Sequence, residues 1–164
     1  MKIEVVRGDI TRIRVDAVVT AANRRLVGGS GVNGAVHAAA GPELLVASSA
    51  LAPCPAGEAV VTPAFRMRTA RWVIHAVGPR YRGPADATLL ASAYVAALAR
   101  ADEVGARTVA FPAISTGVYG YPDEEAAQVS VAALRAAESL VATAFLVAFS
   151  GRTARLWEQG LARA

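Results

Sequence analysis

Two glycine-rich segments carry the residues whose spacing could do chemistry. The first is Gly28–Gly34 (GGSGVNG) and the second is Ile114–Gly120 (ISTGVYG). Glycines let backbone N–H groups approach and point at an anion, and the dipole of a following helix favours negative charge. Two such loops at the carboxyl ends of strands in one α/β domain predict a single ligand with two phosphates. The alternative is that these glycines serve only close packing.

Neither loop has the features of a phosphoryl-transfer site. Neither ends in Gly-Lys-Ser/Thr, and no nearby cluster of carboxylates could hold Mg²⁺. Gly29, Gly31 and Gly34 satisfy the dinucleotide pattern G-x-G-x-x-G. Several residues separate the preceding strand from the first glycine, however, where that pattern requires a tight turn. A nicotinamide oxidoreductase is therefore only a third hypothesis, behind the two developed below.

Short apolar runs alternate with alanine-rich helical patterns, and these elements must position the loops. The apolar runs read as strands covered on both faces, and the alternation predicts a three-layer α/β/α domain around a mixed or largely parallel sheet. The predicted strands are Ile3–Val6, Ala17–Thr20, Ala59–Thr62, Trp72–Ala76, Thr108–Phe111 and Phe145–Phe149. The predicted helices are Gly34–Ala40, Pro42–Ala50, Ala87–Ala101, Pro122–Ser139 and Thr153–Ala162.

Length and composition predict one soluble domain over residues 1–164. The chain is 54% hydrophobic and 18% charged, which excludes intrinsic disorder. Its formal charge is +4, but the arginines are scattered, so the charge indicates a solvated face and not a nucleic-acid partner. Arginine matches phosphate geometrically, which leaves an anionic small ligand open.

The cysteine, the charged start of the chain and the histidines argue against several other classes of protein. The single cysteine, Cys54, cannot form a disulfide scaffold, which indicates a reducing, cytoplasmic compartment. The charged start and the absence of an apolar run of about 20 residues predict neither a signal peptide nor a membrane span. His37 and His75 have no third ligand at a suitable spacing, so no metal site is predicted.

Five segments together resemble the macrodomain family. They are Gly8–Thr11 (GDIT), Thr20–Asn23 (TAAN), Gly28–His37 (GGSGVNGAVH), Ala39–Pro42 (AAGP) and Ala110–Pro122 (AFPAISTGVYGYP). The similarity runs across nearly the whole chain and is strongest to the MacroD-type branch. It implies a three-layer α/β/α fold with a mixed central sheet and a site for ADP-ribose. In that branch it also implies hydrolysis, without metal or cofactor, of O-acetyl-ADP-ribose and of ADP-ribose esters on acidic protein side chains.

The resemblance assigns roles by position. Asp9 would accept a hydrogen bond from the adenine amino group, with Ile10 beside the base and Phe149 stacked on it. The alternative for Asp9 is a helix or turn cap, and for Phe149, which continues an apolar run, it is the core. Asn23 and Tyr119 would contact the distal ribose. The full set implied to bind ADP-ribose is Asp9, Ile10, Ala22, Asn23, Gly29, Ser30, Gly31, Val32, Ser115, Thr116, Gly117, Val118, Tyr119 and Phe149.

Four residues depart from the family pattern, and the one that bears on the chemistry is Asn33. Thr20 replaces an asparagine, Ser30 replaces a glycine, and Ser150 stands where relatives often have an acidic residue. Ser30 fits only if its φ is not positive. Asn33 occupies the position at which hydrolytic members carry an aspartate that positions or activates water. An amide can orient a water but cannot take its proton, and losing a general base typically costs about 10²–10⁴-fold in rate.

Two functional hypotheses follow. In the first, the protein is an ester hydrolase in which Asn23 and Asn33 are the catalytic residues, and the substrate's own phosphate assists the water. In the second, it is a non-catalytic module that recognises ADP-ribose or ADP-ribosylated proteins.

Overall fold

A mixed six-stranded sheet forms the centre of the computed structural model, which describes residues 1–163. Its strands are β1 Lys2–Arg7, β2 Ala17–Ala22, β3 Ala59–Pro63, β4 Trp72–Val77, β5 Thr108–Phe111 and β6 Thr143–Ala148. The strand order is β1-β6-β5-β2-β4-β3. All neighbouring strands are parallel except β3, which pairs with β4 in the antiparallel direction.

Five helices cover the two faces of this sheet. They are α1 Gly31–Ala40, α2 Glu43–Ser49, α3 Ala87–Glu103, α4 Asp123–Ala136 and α5 Gly151–Ala162. Alternate residues of a strand point to opposite faces, and the core follows this rule along β2. Val18 packs with the buried residues of α1 and α2, whereas Ala17 and Val19 pack with those of α3, α4 and α5. The predicted three-layer α/β/α architecture is confirmed.

The ends of several elements differ from those predicted. α1 begins at Gly31, three residues earlier than expected, and α4 ends at Ala136, three residues before the predicted end. β6 ends at Ala148, so Phe149 lies just beyond the strand. Ser150 then caps α5, because its hydroxyl accepts a hydrogen bond from the Thr153 N–H at 3.2 Å. Over residues 1–163, no helix combines the length and apolarity that crossing a bilayer requires.

Candidate functional site

A cavity of about 720 Å³ opens along the carboxyl edge of the parallel strands. Five strand ends contribute to it in spatial order, and at the usual spacing of about 4.8 Å five adjacent strands extend over about 19 Å. Gly8, Asp9 and Ile10 follow β1, and Phe149 follows β6. Pro112 to Tyr119 follow β5, the Ala21–Asn33 region follows β2, and Gly78 and Arg80 follow β4. The volume suits a small-molecule ligand, and every predicted binding residue lines this one cavity.

Asp9 and Phe149 form the first end of the cavity. One oxygen of Asp9 accepts hydrogen bonds from the Thr11 N–H at 2.9 Å and the Thr11 hydroxyl at 2.7 Å. These bonds hold the pKa of Asp9 below its usual value. Asp9 therefore caps the short 3₁₀ turn Ile10–Arg12 while its carboxylate also lines the cavity. The second oxygen lies 3.8 Å from Arg12, beyond ordinary hydrogen-bond distance.

The exposure of Phe149 decides between its two interpretations. The ring is 88% exposed, so the expectation from the apolar run alone, that it belongs to the core, is wrong. An exposed aromatic ring at the edge of a cavity provides a flat apolar surface on which a base can stack. Val118, across the cavity on the loop after β5, is 84% exposed.

The middle of the cavity lies between the two glycine loops, and their glycines fall into two groups. A Cβ on Gly34 would lie 2.5 Å from the Gly29 carbonyl oxygen, so packing alone requires that glycine. A Cβ on Gly28 or Gly117 would meet nothing within 4 Å. The packing alternative therefore accounts for only part of the pattern. Gly31, at φ +60°, needs glycine for its backbone conformation.

The loop after β5 is held rigidly in an unusual conformation. The Tyr94 hydroxyl donates to the Pro112 carbonyl at 3.0 Å and accepts from the Ile114 N–H at 3.1 Å. Ser115 has φ +70°, which costs energy for a residue with a side chain and is most frequent at functional sites. Its buried hydroxyl has no hydrogen-bond partner among the described residues. Ser30, in contrast, has φ −102°, so the serine fits where the family usually has glycine.

Two asparagines clamp the loop after β2 at the second end of the cavity. Asn23 Nδ2 donates to the Val27 carbonyl at 3.0 Å, and Asn23 Oδ1 accepts from the Val27 N–H at 3.2 Å. Asn33, only 5% exposed, also donates to the Val27 carbonyl, at 3.1 Å. Its Oδ1 accepts from the Thr20 hydroxyl at 3.1 Å. The amide keeps one N–H and one lone pair for a ligand or a water.

The position of the carboxylates limits the chemistry of this end. Among the described residues that line the cavity, Asp9 is the only carboxylate, and it lies at the opposite end, after β1, with β6 and β5 between β1 and β2 in the sheet. Neither Asn23 nor Asn33 can accept a proton near neutral pH. The protein can therefore orient a water here but offers no carboxylate base for it.

The two histidines do not line the cavity: His37 lies in α1 and His75 in β4. The Thr62 hydroxyl donates to the Pro63 carbonyl at 3.1 Å, so it accepts from His75 Nε2–H at 3.0 Å. The His37 and His75 rings are 6.3 Å apart. Burial and then the charge of His37 lower the pKa of His75 to about 4. Over residues 1–163 no group of three potential metal ligands occurs.

Sequence reasoning missed Gly78, Arg80 and Thr153, which also line the cavity. A Cβ on Gly78 would lie 2.1 Å from the Ser115 hydroxyl oxygen, which explains why a glycine follows β4. The Arg80 guanidinium carbon lies 4.7 Å from the centre of the Tyr119 ring. The only feature of the sequence that could have indicated Arg80 is its position shortly after a buried strand and a glycine.

The fold and this cavity define an α/β protein with a cavity that extends across the carboxyl ends of five strands. The Macro domain family model matches residues 19–130. A macro domain-containing protein of Ralstonia nicotianae is 46% identical over 157 residues, covering 94% of this chain and 91% of that protein. The O-acetyl-ADP-ribose deacetylase of Salmonella typhimurium is 45% identical over 165 residues, covering 95% and 92%.

Solved structures agree with this relationship. An Oceanobacillus iheyensis macrodomain with ADP has a TM-score of 0.90 at 36% identity, covering 97% of this chain and 89% of that one. A Trypanosoma brucei macrodomain in complex with ADP-ribose has a TM-score of 0.88 at 33% identity, covering 97% and 68%. The chain belongs to the macrodomain family.

Proposed function

We propose that this protein binds ADP-ribose and hydrolyses esters of it, with O-acetyl-ADP-ribose or a mono-ADP-ribosyl ester on protein as the substrate. The observation that carries the proposal is the single cavity. Along its length lie the exposed ring of Phe149, the two glycine loops and the amides of Asn23 and Asn33, in that order. Macrodomains of known structure bind ADP-ribose or ADP. Relatives at 45% identity are named O-acetyl-ADP-ribose deacetylases, which supports the hydrolytic part.

The ligand lies in this cavity with its adenine at the β1 and β6 end. Asp9 accepts a hydrogen bond from the adenine amino group, and Phe149 stacks on the base. The N–H groups of the two glycine loops contact the diphosphate from both sides. Asn23 and Tyr119 hold the distal ribose, which places the ester bond beside Asn33.

Hydrolysis joins one water to the ester and gives ADP-ribose and the free acid. The water oxygen bonds to the ester carbonyl carbon, the bond from that carbon to the ribose oxygen breaks, and one proton passes from the water to the ribose oxygen. Since Asn33 cannot take that proton, we assign it the role of orienting the water. A phosphate oxygen of the substrate receives the proton before the leaving group takes one up.

The second candidate function is recognition without turnover. It is favoured by the hydrogen bonds of Asn33, whose amide is held between Thr20 and Val27 as part of the loop structure. A fixed amide can hydrogen-bond to ADP-ribose, and a protein that only binds ADP-ribose needs no catalytic base.

Release of acetate from O-acetyl-ADP-ribose separates the two candidates. We expect turnover by the wild type well above a blank without protein, with ADP-ribose binding measured in parallel for every preparation. The matched variant is Asn33→Asp, which supplies the carboxylate. If the wild type binds ADP-ribose but releases no acetate while Asn33→Asp does, the natural protein is a reader and the hydrolase proposal is wrong.

A further inference from the structure

Arg80 holds a guanidinium at the end of the cavity farthest from Asp9. It follows β4, lines the cavity and is exposed. Its guanidinium carbon lies 4.7 Å from the Tyr119 ring centre, a distance at which cation and ring attract one another. Over residues 1–163 no carboxylate lies within 4.0 Å of the Arg80 guanidinium. The planar fork of N–H donors is therefore positioned without a protein anion to bind.

The backbone beneath this stack is fixed on both sides. The Tyr81 N–H donates to the Tyr119 carbonyl at 2.9 Å, which ties the segment after β4 to the loop after β5. The Tyr81 and Tyr121 rings contact edge to face, with centres 4.8 Å apart. Gly78 packs directly against Ser115. An arginine on such a platform loses less conformational freedom on binding an anion than one on a mobile loop.

Two carboxylates belong to the elements around Arg80, and neither forms an ion pair with it. Each keeps its charge and accepts a hydrogen bond from another group. Asp86 accepts from the Arg82 N–H at 2.6 Å, and Glu125 accepts from the Tyr81 hydroxyl at 3.3 Å. Among the described residues that line the cavity, Arg80 is the only cation, and its guanidinium N–H groups are the charged donors that this end offers to a ligand.

We propose that Arg80 selects for an acidic polypeptide attached to the distal ribose, by binding a carboxylate that neighbours the modified side chain. The proposal rests on the function proposed above, since it needs the ribose to lie beside Asn23 and Asn33. An acetyl group is small and uncharged and would leave the guanidinium without a partner. A flanking aspartate or glutamate would form charge-assisted, bidentate hydrogen bonds with it.

Two synthetic peptides test this assignment. Both carry ADP-ribose through the same non-hydrolysable link, one with acidic flanking residues and one with neutral flanks, and calorimetry gives the Kd of each. We expect the wild type to bind the acidic peptide about ten-fold more tightly at low salt, because a hydrogen bond to a charged group is worth about that factor or more. The preference should weaken as ionic strength rises.

Arg80→Gln should reduce the ratio of the two Kd values to about one. Arg68→Gln is the matched control, because Arg68 is exposed and does not line the cavity, and it should keep the wild-type ratio. Using a ratio within each variant removes any general change in affinity. Thermal unfolding of both variants confirms that they fold.

The outcomes distinguish this proposal from the one it rests on. Failure of the wild type to bind free ADP-ribose would overturn the proposed function. Binding of free ADP-ribose with equal Kd values for the two peptides would overturn only the role of Arg80. Competition by a short oligonucleotide, at concentrations at which an unmodified acidic peptide does not compete, would assign this end to nucleic acid and also overturn the proposal.

Discussion

Asn33 differs from an aspartate by a single group, and its surroundings favour the amide. Its Nδ2 donates to the Val27 carbonyl, which also accepts from Asn23. A carboxylate oxygen in the same place would face that carbonyl oxygen with no proton between them. The repulsion would raise the pKa of the carboxyl group and loosen the loop. The replacement of the family's aspartate is thus matched by the conformation of the chain around it.

Phe149 is the residue whose truncation should affect ligand binding most directly. We expect Phe149→Ala to weaken ADP-ribose binding by about 1–3 kcal/mol, the usual value for stacking a base on an aromatic side chain. Because the ring is exposed, the free energy of unfolding should change little. Calorimetric titration with ADP-ribose measures the effect.

Phe65→Ala is the control for that titration. Phe65 is also an exposed aromatic residue, at 42%, and it does not line the cavity. Its affinity for ADP-ribose should match the wild type. Equal affinities for all three proteins would show that the base is held elsewhere.

His75 should make the protein sensitive to acid. Its pKa falls from 6.5 in the unfolded chain to about 4 in the folded protein, because the ring is buried and lies near His37. Below pH 6.5 His75 therefore binds a proton in the unfolded chain but not in the folded protein. The free energy of unfolding falls progressively down to about pH 4. The full loss is about 3 kcal/mol.

Denaturant unfolding at pH 7 and pH 4.5 measures this loss. His75→Gln, which can still donate to the Thr62 hydroxyl, should lose about 2–3 kcal/mol less than the wild type between the two values. An equal loss in both proteins would place the acid sensitivity in other groups. Asp9 contributes only at lower pH, since the hydrogen bonds from Thr11 hold its pKa below the ordinary value of 3.8.

At the scale of the elements, the loop after β5 contains a position at which a substitution should change ligand binding without changing the fold. Gly117 has open space around it and no positive φ, so a side chain there should not disturb the fold. It would instead occupy the volume in which a phosphate meets the backbone. We expect Gly117→Val to abolish ADP-ribose binding while the melting temperature stays within a few degrees.

Gly83→Val is the comparison for this loop. Gly83 also has nothing within 4 Å and an extended φ of 168°, and it does not line the cavity. This variant should bind as the wild type does. Normal binding by Gly117→Val would remove the loop from the phosphate site.

The existence of each strand and helix was predictable from apolar patterning, but several of their ends were not. α1 begins at Gly31 because the Ser30 carbonyl accepts a hydrogen bond from the Gly34 N–H at 3.3 Å, which closes the first turn and which the apolar pattern from Gly34 onward does not reveal. α4 ends three residues early because the chain then turns and Ser139 donates to Asp102 at 2.8 Å. That contact is between residues distant in the sequence.

At the scale of the whole molecule, the cavity brings together residues that are far apart in the sequence. The family motifs that contribute to the cavity lie at the ends of β1, β2 and β5, and Phe149 follows β6; the binding residues predicted from them do meet. Arg80 and Gly78 follow β4, which joins the cavity only because β4 pairs with β2 in the sheet. No local pattern encodes that pairing. The alternatives for Asp9 and Phe149 also needed the structure, since capping and exposure depend on neighbours in space.

The pairing of β1 with β6 has a consequence for how the protein is made. Asp9 is synthesised 140 residues before Phe149 (149 − 9), and the two meet only when β6 enters the sheet beside β1. The half of the cavity near Asn23 and Arg80 needs only β2, β4 and β5, which are synthesised earlier. A nascent chain can therefore complete the polar end of its cavity first, and the end formed by Asp9 and Phe149 is completed only after β6 has been translated.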